Sequence, residues 1–266
     1  MPKPKSKPKP RSRPRSKPLL RSKRRPAKPG PRAPARVDPR RQAGVVAERL
    51  AEAIPQPKLE LDFENAWQLL VATILSAQST DARVNLVAPR LFERYPTPAA
   101  LAAAPQEEVE QVVKSTGFFR NKAKAIRGAS AALLERHGGE VPAAMEELIQ
   151  LPGVARKTAN IVLSNALGAN QGIAVDTHVG RVARRLALAR DENPEKVEAA
   201  LCQAFPRDQW SLVALRFQLH GRYVCLARKP GCAACPLNEA CPSREAPPDG
   251  DWRARAARER ARIPAR

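Results

Sequence analysis

The stretch Leu148-Ile-Gln-Leu-Pro-Gly-Val-Ala-Arg-Lys-Thr-Ala-Asn-Ile-Val-Leu163 decides the fold. Apolar helix signals lie on both sides of Leu151-Pro152-Gly153-Val154. Pro followed by Gly enforces a tight turn, so the segment reads as two helices joined by a hairpin. The second helix is expected to start near Ala155, with its unpaired N–H groups pointing out of the turn. A helix N-terminus reached through a glycine is a ready anion site, because no side chain on Gly153 keeps a phosphate from the backbone. Arg156 and Lys157 add positive charge there. On Pro-Gly alone, a plain helical corner remains the simpler reading.

Outward from the hairpin the apolar pattern stays helical. Trp67, Leu70, Val71, Ile74 and Leu75 fall on one helical face, and Val84, Val87 and Leu91 repeat the spacing. So do Ile126, Ala129 and Leu133, with Gly138-Gly139 as a stop. Val179, Val182 and Leu186 form another face with Arg181, Arg184 and Arg185 turned away, and Leu212, Leu215 and Leu219 form a last one. No segment alternates at strand spacing. The expected class is all-α, with about ten short helices.

The 47 Lys and Arg outnumber the 26 Asp and Glu by 21, and the excess is concentrated at one end. Residues 1–41 hold 17 of the cations, one acid (Asp38) and 11 prolines. Such a segment buries too little apolar surface to offset chain entropy, so a disordered basic tail is expected. A second basic tail is expected at 246–266, Pro-rich at first and then a frayed helix over DWRARAARERARIPAR. This balance suits a polyanion. No stretch reaches the roughly 20 apolar residues of a membrane span, and the N-terminus lacks a secretory apolar run. The prolines also argue against the amphipathic helix of an organellar transit peptide.

Four of the five cysteines lie close together, as Cys225-x6-Cys232-x2-Cys235-x5-Cys241. An odd total without a secretion signal points to an intracellular metal site rather than disulfides. By spacing alone, a [4Fe–4S] cluster and a structural zinc are equally good readings. Cys202 has no partner in the pattern and reads as a buried apolar residue.

Lys157 stands in the first turn of the second hairpin helix, and Val175-Asp176-Thr177-His178-Val179 follows at the start of another. A lysine attacks only as a neutral amine, a form favoured by burial, nearby cations or a helix N-terminus. Arg156 and the hairpin dipole are candidates for the last two. Taken singly, such a lysine is usually a solvated charge and such an aspartate a helix cap.

Together these strings resemble the endonuclease III family of helix–hairpin–helix DNA glycosylases, over roughly residues 44–242. The resemblance rests on Leu-Pro-Gly-Val-x-Arg-Lys-Thr-Ala-Asn, on the aspartate helix, and on the cysteine spacing after His220-Gly-Arg-Tyr. It also covers Leu75-Ser-Ala-Gln-Ser-Thr-Asp81 and Gly117-Phe118-Phe119-Arg120-Asn121-Lys122. It implies that Lys157 attacks the sugar C1′ atom and that Asp176 supports the charge developing on the sugar. It implies a [4Fe–4S] cluster on Cys225, Cys232, Cys235 and Cys241, in a loop that fixes Arg228 and Lys229 against DNA phosphates. Gln78 would enter the space left by a flipped nucleotide and Phe118 would act as an apolar wedge, with Phe119 in the core. Further DNA contacts implied are Leu151, Gly153, Ala155, Arg156, Thr158 and His178. Two departures stand out: Phe118 where leucine is common, and Ala155 where the family usually has glycine. The second costs about 1 kcal/mol if the position needs positive φ, and almost nothing if it is the first residue of the helix.

The implied fold is two helical domains with DNA between them. A six-helix barrel would span 59–170 with the hairpin, and a cluster domain would combine 42–58 with 171–245. The implied activity is a bifunctional glycosylase and abasic-site lyase of base excision repair, acting on oxidised pyrimidines in double-stranded DNA and nicking by β-elimination. A monomer in the bacterial cytoplasm, at the nucleoid and not on a membrane, is expected. The adenine-excising branch and mismatch thymine glycosylases generally lack the lysine. A non-catalytic DNA-structure-binding protein would need neither Lys157 nor Asp176.

Overall fold

The computed structural model describes residues 38–264. Most of the basic tail expected at 1–41 lies outside them, but its end does not. Asp38 caps a helix, α1 (Pro39–Ala53), accepting from Arg40 N at 3.0 Å, and Pro39 takes the first helical position. Proline suits that position, where its missing N–H is not needed.

Among the described residues all regular structure is helical, as expected: twelve α-helices and four short 3₁₀ turns. Asn65, Thr80 and Thr97 cap α2 (Ala66–Ser76), α3 (Asp81–Arg94) and α4 (Pro98–Ala103) through side-chain oxygens. Next come α5 (Gln106–Val113), α6 (Phe119–His137), the single turn α7 (Met145–Leu148) and α8 (Arg156–Ala166). Of these, α3, α6 and α8 pack on α2, which is buried from Trp67 to Leu75. The Trp67 indole N–H donates to Ser130 Oγ of α6 at 3.1 Å, which satisfies its buried polar atom. The resulting core runs from Leu61 to Leu163.

A second core gathers α9 (Thr177–Arg185), α10 (Pro194–Ala204), α11 (Trp210–Tyr223) and the cysteine segment around Leu50, Val46 and Ala43 of α1. The chain thus returns to its first helix after building the first core. The expected apolar faces of α2, α3, α6 and α9 are buried. That of α11 is corrected in part: Leu215 and Leu219 are buried as expected, whereas Leu212 is exposed, and Val213, Ala214 and Phe217 also turn inward, because α11 packs on α9 and α1 together.

The segment at 246–266, expected to be a basic tail with a frayed helix, is corrected in part: the helix is there, but it is docked. It carries a capped helix, α12 (Trp252–Arg262), with Asp251 Oδ1 accepting from Arg253 N and Ala254 N. Its Ala256 joins Ala53, Ile54 and Leu219 in a small third cluster.

Polar bonds join the two large cores. The Tyr223 hydroxyl donates to Glu60 at 2.7 Å and Arg222 Nη1 to Asp81 at 2.9 Å. Elsewhere Arg156 of α8 pairs with Glu198 of α10.

Candidate active site and cysteine pocket

The hairpin turn takes its shape from one glycine. Gly153 has φ +78°, and a Cβ there would lie 2.7 Å from Ala125 Cβ of α6. Left-handed backbone and close approach both require glycine. Ala155 has φ −95° and ψ 168° and stands as the N-cap of α8. It is therefore in ordinary extended backbone, and the departure from glycine is free of strain. Because alanine offers no capping oxygen, the first N–H groups of α8 have no side-chain cap. That leaves them available to an anion.

Lys157 follows in the first turn of α8. It is exposed, and among the described residues its amine has no hydrogen-bond or ion-pair partner. It lines an open cavity with Val175, the residue before Asp176. Asp176 caps α9, with Oδ1 accepting from His178 N and Val179 N, each at 2.8 Å. These two bonds fix the carboxylate on the backbone.

Arg156 behaves differently from the free cation expected beside Lys157. Its guanidinium grips Glu198 with two bonds, Nε to Oε2 at 2.8 Å and Nη2 to Oε1 at 3.0 Å. Asn160 Nδ2 donates to the same Oε1 at 3.0 Å. The bond to Glu198 is the main reason the Arg156 pKa is raised. Glu198 was not singled out in the sequence. A buried glutamate on an amphipathic helix carries no local sign of a partner 42 residues away.

Four non-glycine residues have left-handed φ: Gln78 (53°), Phe118 (46°), Ala187 (57°) and Lys229 (51°). Three of them are among the DNA contacts implied by the sequence. Each such residue costs about 1–3 kcal/mol, and this strain clusters at functional sites. Phe118 is also 64 % exposed, large for an apolar ring. It stands before α6 on a turn held by Lys122, whose Nζ donates to Thr116 O at 2.7 Å. Desolvation lowers the Lys122 pKa. Phe119 packs on the first core. Gln78, Arg228 and Lys229 are exposed, whereas Thr158 and His178 are half-buried. Leu151 is buried at 2 %, so any DNA contact it makes runs through its backbone.

Cys225, Cys232, Cys235 and Cys241 line one pocket, and none forms a disulfide. N–H donors reach two of their sulfurs: Arg185 Nη1 to Cys225 at 3.2 Å and Glu245 N to Cys232 at 3.4 Å. His220 Nε2 lies 3.7 Å from Cys235 Sγ. Such donors stabilise thiolate ligands. Burial alone would push the Cys225 thiol up, but His220 and Arg185 hold it below its usual value. Burial pushes Cys241 up to about 11. Among the described residues no three ligating side chains are arranged around a single metal ion. Four cysteines lining one pocket are the donor type that a four-iron cube takes. Cys202 is half-buried against the second core, and burial raises it to about 11. Arg181 and Arg185, which the helical pattern turned outward, bond the carbonyls of Cys225 and of Leu226 and Ala227.

A family profile described as HhH-GPD superfamily base excision DNA repair protein matches residues 71–207. The chain is 50 % identical to Endonuclease III of Synechocystis over 197 residues, covering 74 % of this chain and 90 % of that protein. It is 41 % identical to Endonuclease III of Escherichia coli over 206 residues, covering 75 % and 94 %. Among solved structures it resembles a trapped covalent Endonuclease III–DNA intermediate, with 43 % identity and a TM-score of 0.74, covering 79 % of this chain and 98 % of the other.

Proposed function

Because the chain belongs to the endonuclease III family, we propose that it is a DNA glycosylase and abasic-site lyase of base excision repair that acts on oxidised pyrimidines in duplex DNA. The observation that carries the mechanism is Lys157 itself. It is exposed and unpartnered among the described residues, in the first turn of α8 after the Gly153 hairpin, and it lines a cavity with Val175, the residue before Asp176.

In this reading the Lys157 amine attacks C1′ and the bond from C1′ to the damaged base breaks. The departing base takes the bonding electrons and then a proton. Opening of the sugar ring leaves an iminium between Nζ and C1′. Loss of the C2′ proton then expels the 3′ phosphate and nicks the strand. Asp176 stabilises the positive charge on the sugar and helps remove protons. The uncapped start of α8 and Gly153 hold a backbone phosphate, and Arg228 and Lys229 hold others. Gln78 and Phe118 fill the gap left by the flipped nucleotide.

The four pocket cysteines would hold a [4Fe–4S] cluster. When bound, it supplies rigidity to the loop bearing Arg228 and Lys229 rather than a reaction step. The two cores form a barrel domain at 59–170 and a cluster domain from 42–58 with 171–245, with DNA between them. The protein acts as a monomer on chromosomal DNA.

Borohydride tests the central step. Wild type should form a covalent adduct with abasic-site DNA, whereas Lys157→Ala should bind that DNA and form none. An adduct from Lys157→Ala at the normal rate would dismiss the assignment. Asp176→Asn should react slowly, and a panel of defined lesions would rank the substrates. Purified protein should carry about four irons per chain.

A further inference from the structure

Helix α12 lies beyond both the stretch that resembles the family and the residues matched by the family profile. It is short and strongly basic, yet it places two charged side chains in the interior. Arg255 is 0 % exposed and Glu259 1 %. Buried charges persist only where their partners are well placed. Both sets of partners lead to one cysteine.

Arg255 Nε donates to the Cys235 carbonyl at 2.8 Å, and its other nitrogens bond the Gly250 carbonyl and the Glu239 carboxylate. Glu239 stands two residues before Cys241 and is also bound by Arg49 of α1. Glu259 Oε1 lies 2.7 Å from His220 Nδ1, and the opposite ring nitrogen faces Cys235 Sγ. Glu259 thus fixes the orientation of the ring that meets the sulfur. Of the four pocket cysteines Cys235 is the buried one, and the other three are half-buried.

We propose that α12 is a brace that retains the iron–sulfur cluster, with Arg255 positioning the Cys235 backbone and Glu259, through His220, positioning its thiolate. The inference rests on the cluster reading above. Outer groups that orient metal ligands typically govern 10–100-fold in metal affinity. Arg255 and Glu259 are positioning residues, since their bonds reach the Cys235 carbonyl and the His220 ring and not a cysteine sulfur.

The test uses the full chain as wild type, Glu259→Gln, Arg255→Met and a surface control, Arg253→Gln. Iron per chain is measured first. Decay of the visible cluster absorbance in an iron chelator is followed next, with circular dichroism on the same samples. Glu259→Gln should keep the helical signal yet bleach about 10-fold faster than wild type. Its reduced-cluster magnetic resonance spectrum should shift, which a purely structural role would not cause. Should Arg255→Met fail to fold, removal of residues 250–266 gives a second variant expected to lose iron. Arg253→Gln should match wild type. If wild type holds four irons and Glu259→Gln bleaches at the same rate with an unchanged spectrum, α12 is no brace and the cluster reading stands. If wild type holds no iron, both fail.

Discussion

Glu198→Gln tests how the two cores are held together beside Lys157. The carboxylate accepts two bonds from Arg156 and one from Asn160 while its side chain is 8 % exposed. Gly172 of the connection between the cores passes so close that a Cβ there would lie 2.0 Å from Oε1. Glutamine has the same shape but offers one acceptor oxygen and sets an NH₂ against a donor of Arg156 or Asn160. Breaking a buried pair from one side costs about 3–5 kcal/mol. Arg156 is 46 % exposed and can turn toward water, so the cost here is discounted to about 2 kcal/mol. For about 230 residues that corresponds to a melting temperature lower by about 4–8 °C. The adduct with abasic DNA should also form more slowly, because α8 carries Lys157 on the loosened surface. Thermal melts of Glu198→Gln, Arg156→Ala and the double variant give the coupling, expected near 1–2 kcal/mol. A melting temperature within about 1 °C of wild type, with strict additivity in the double variant, would refute the reasoning.

Gly153→Ala adds a Cβ at 2.7 Å from Ala125 Cβ in left-handed backbone. It should cost about 2–4 kcal/mol in urea unfolding and weaken abasic-DNA binding; a silent substitution would mean the turn can relax. Phe118→Gly removes an exposed ring and its left-handed strain, so stability should rise by about 0.5–1 kcal/mol while base excision from duplex slows. Unchanged single-turnover excision would remove Phe118 from the DNA-opening step. Residues 1–37 carry 15 Lys and Arg and no acid. Their deletion should flatten the slope of log K against log salt by about 3–5 units, at about 0.9 per phosphate, and an unchanged slope would make them inert in binding.

Much of the site was legible because its signals are local. A Pro-Gly turn between apolar helices, a lysine after it, an aspartate before a helix and four closely spaced cysteines are each read within a few residues. The left-handed strain at Gln78, Phe118 and Lys229 left no such trace, since none of these residue types announces positive φ. Glu198 and Arg185 read as ordinary polar positions on amphipathic helices. Their partners are 42 and 40 residues distant. The Ala155 question depended on one backbone angle, and only folding supplied it.

The C-terminal segment draws the boundary most sharply. From sequence, 246–266 is a Pro-rich and Arg-rich end with few apolar residues to bury. Its local signal is Gly250-Asp251, a turn followed by a helix cap, now seen in both roles. What docks the helix is electrostatic and distant, Arg255 on the Cys235 carbonyl and Glu259 on His220. The sequence by itself determined the all-α class, the hairpin, the cysteine group and the family. Only the tertiary structure decided which charges are spent inside, on Glu198, the cysteine loop and His220, and which remain for a polyanion. Helical period and turn chemistry act over a few residues, whereas the pairing of buried charges is settled by whatever the fold brings beside them.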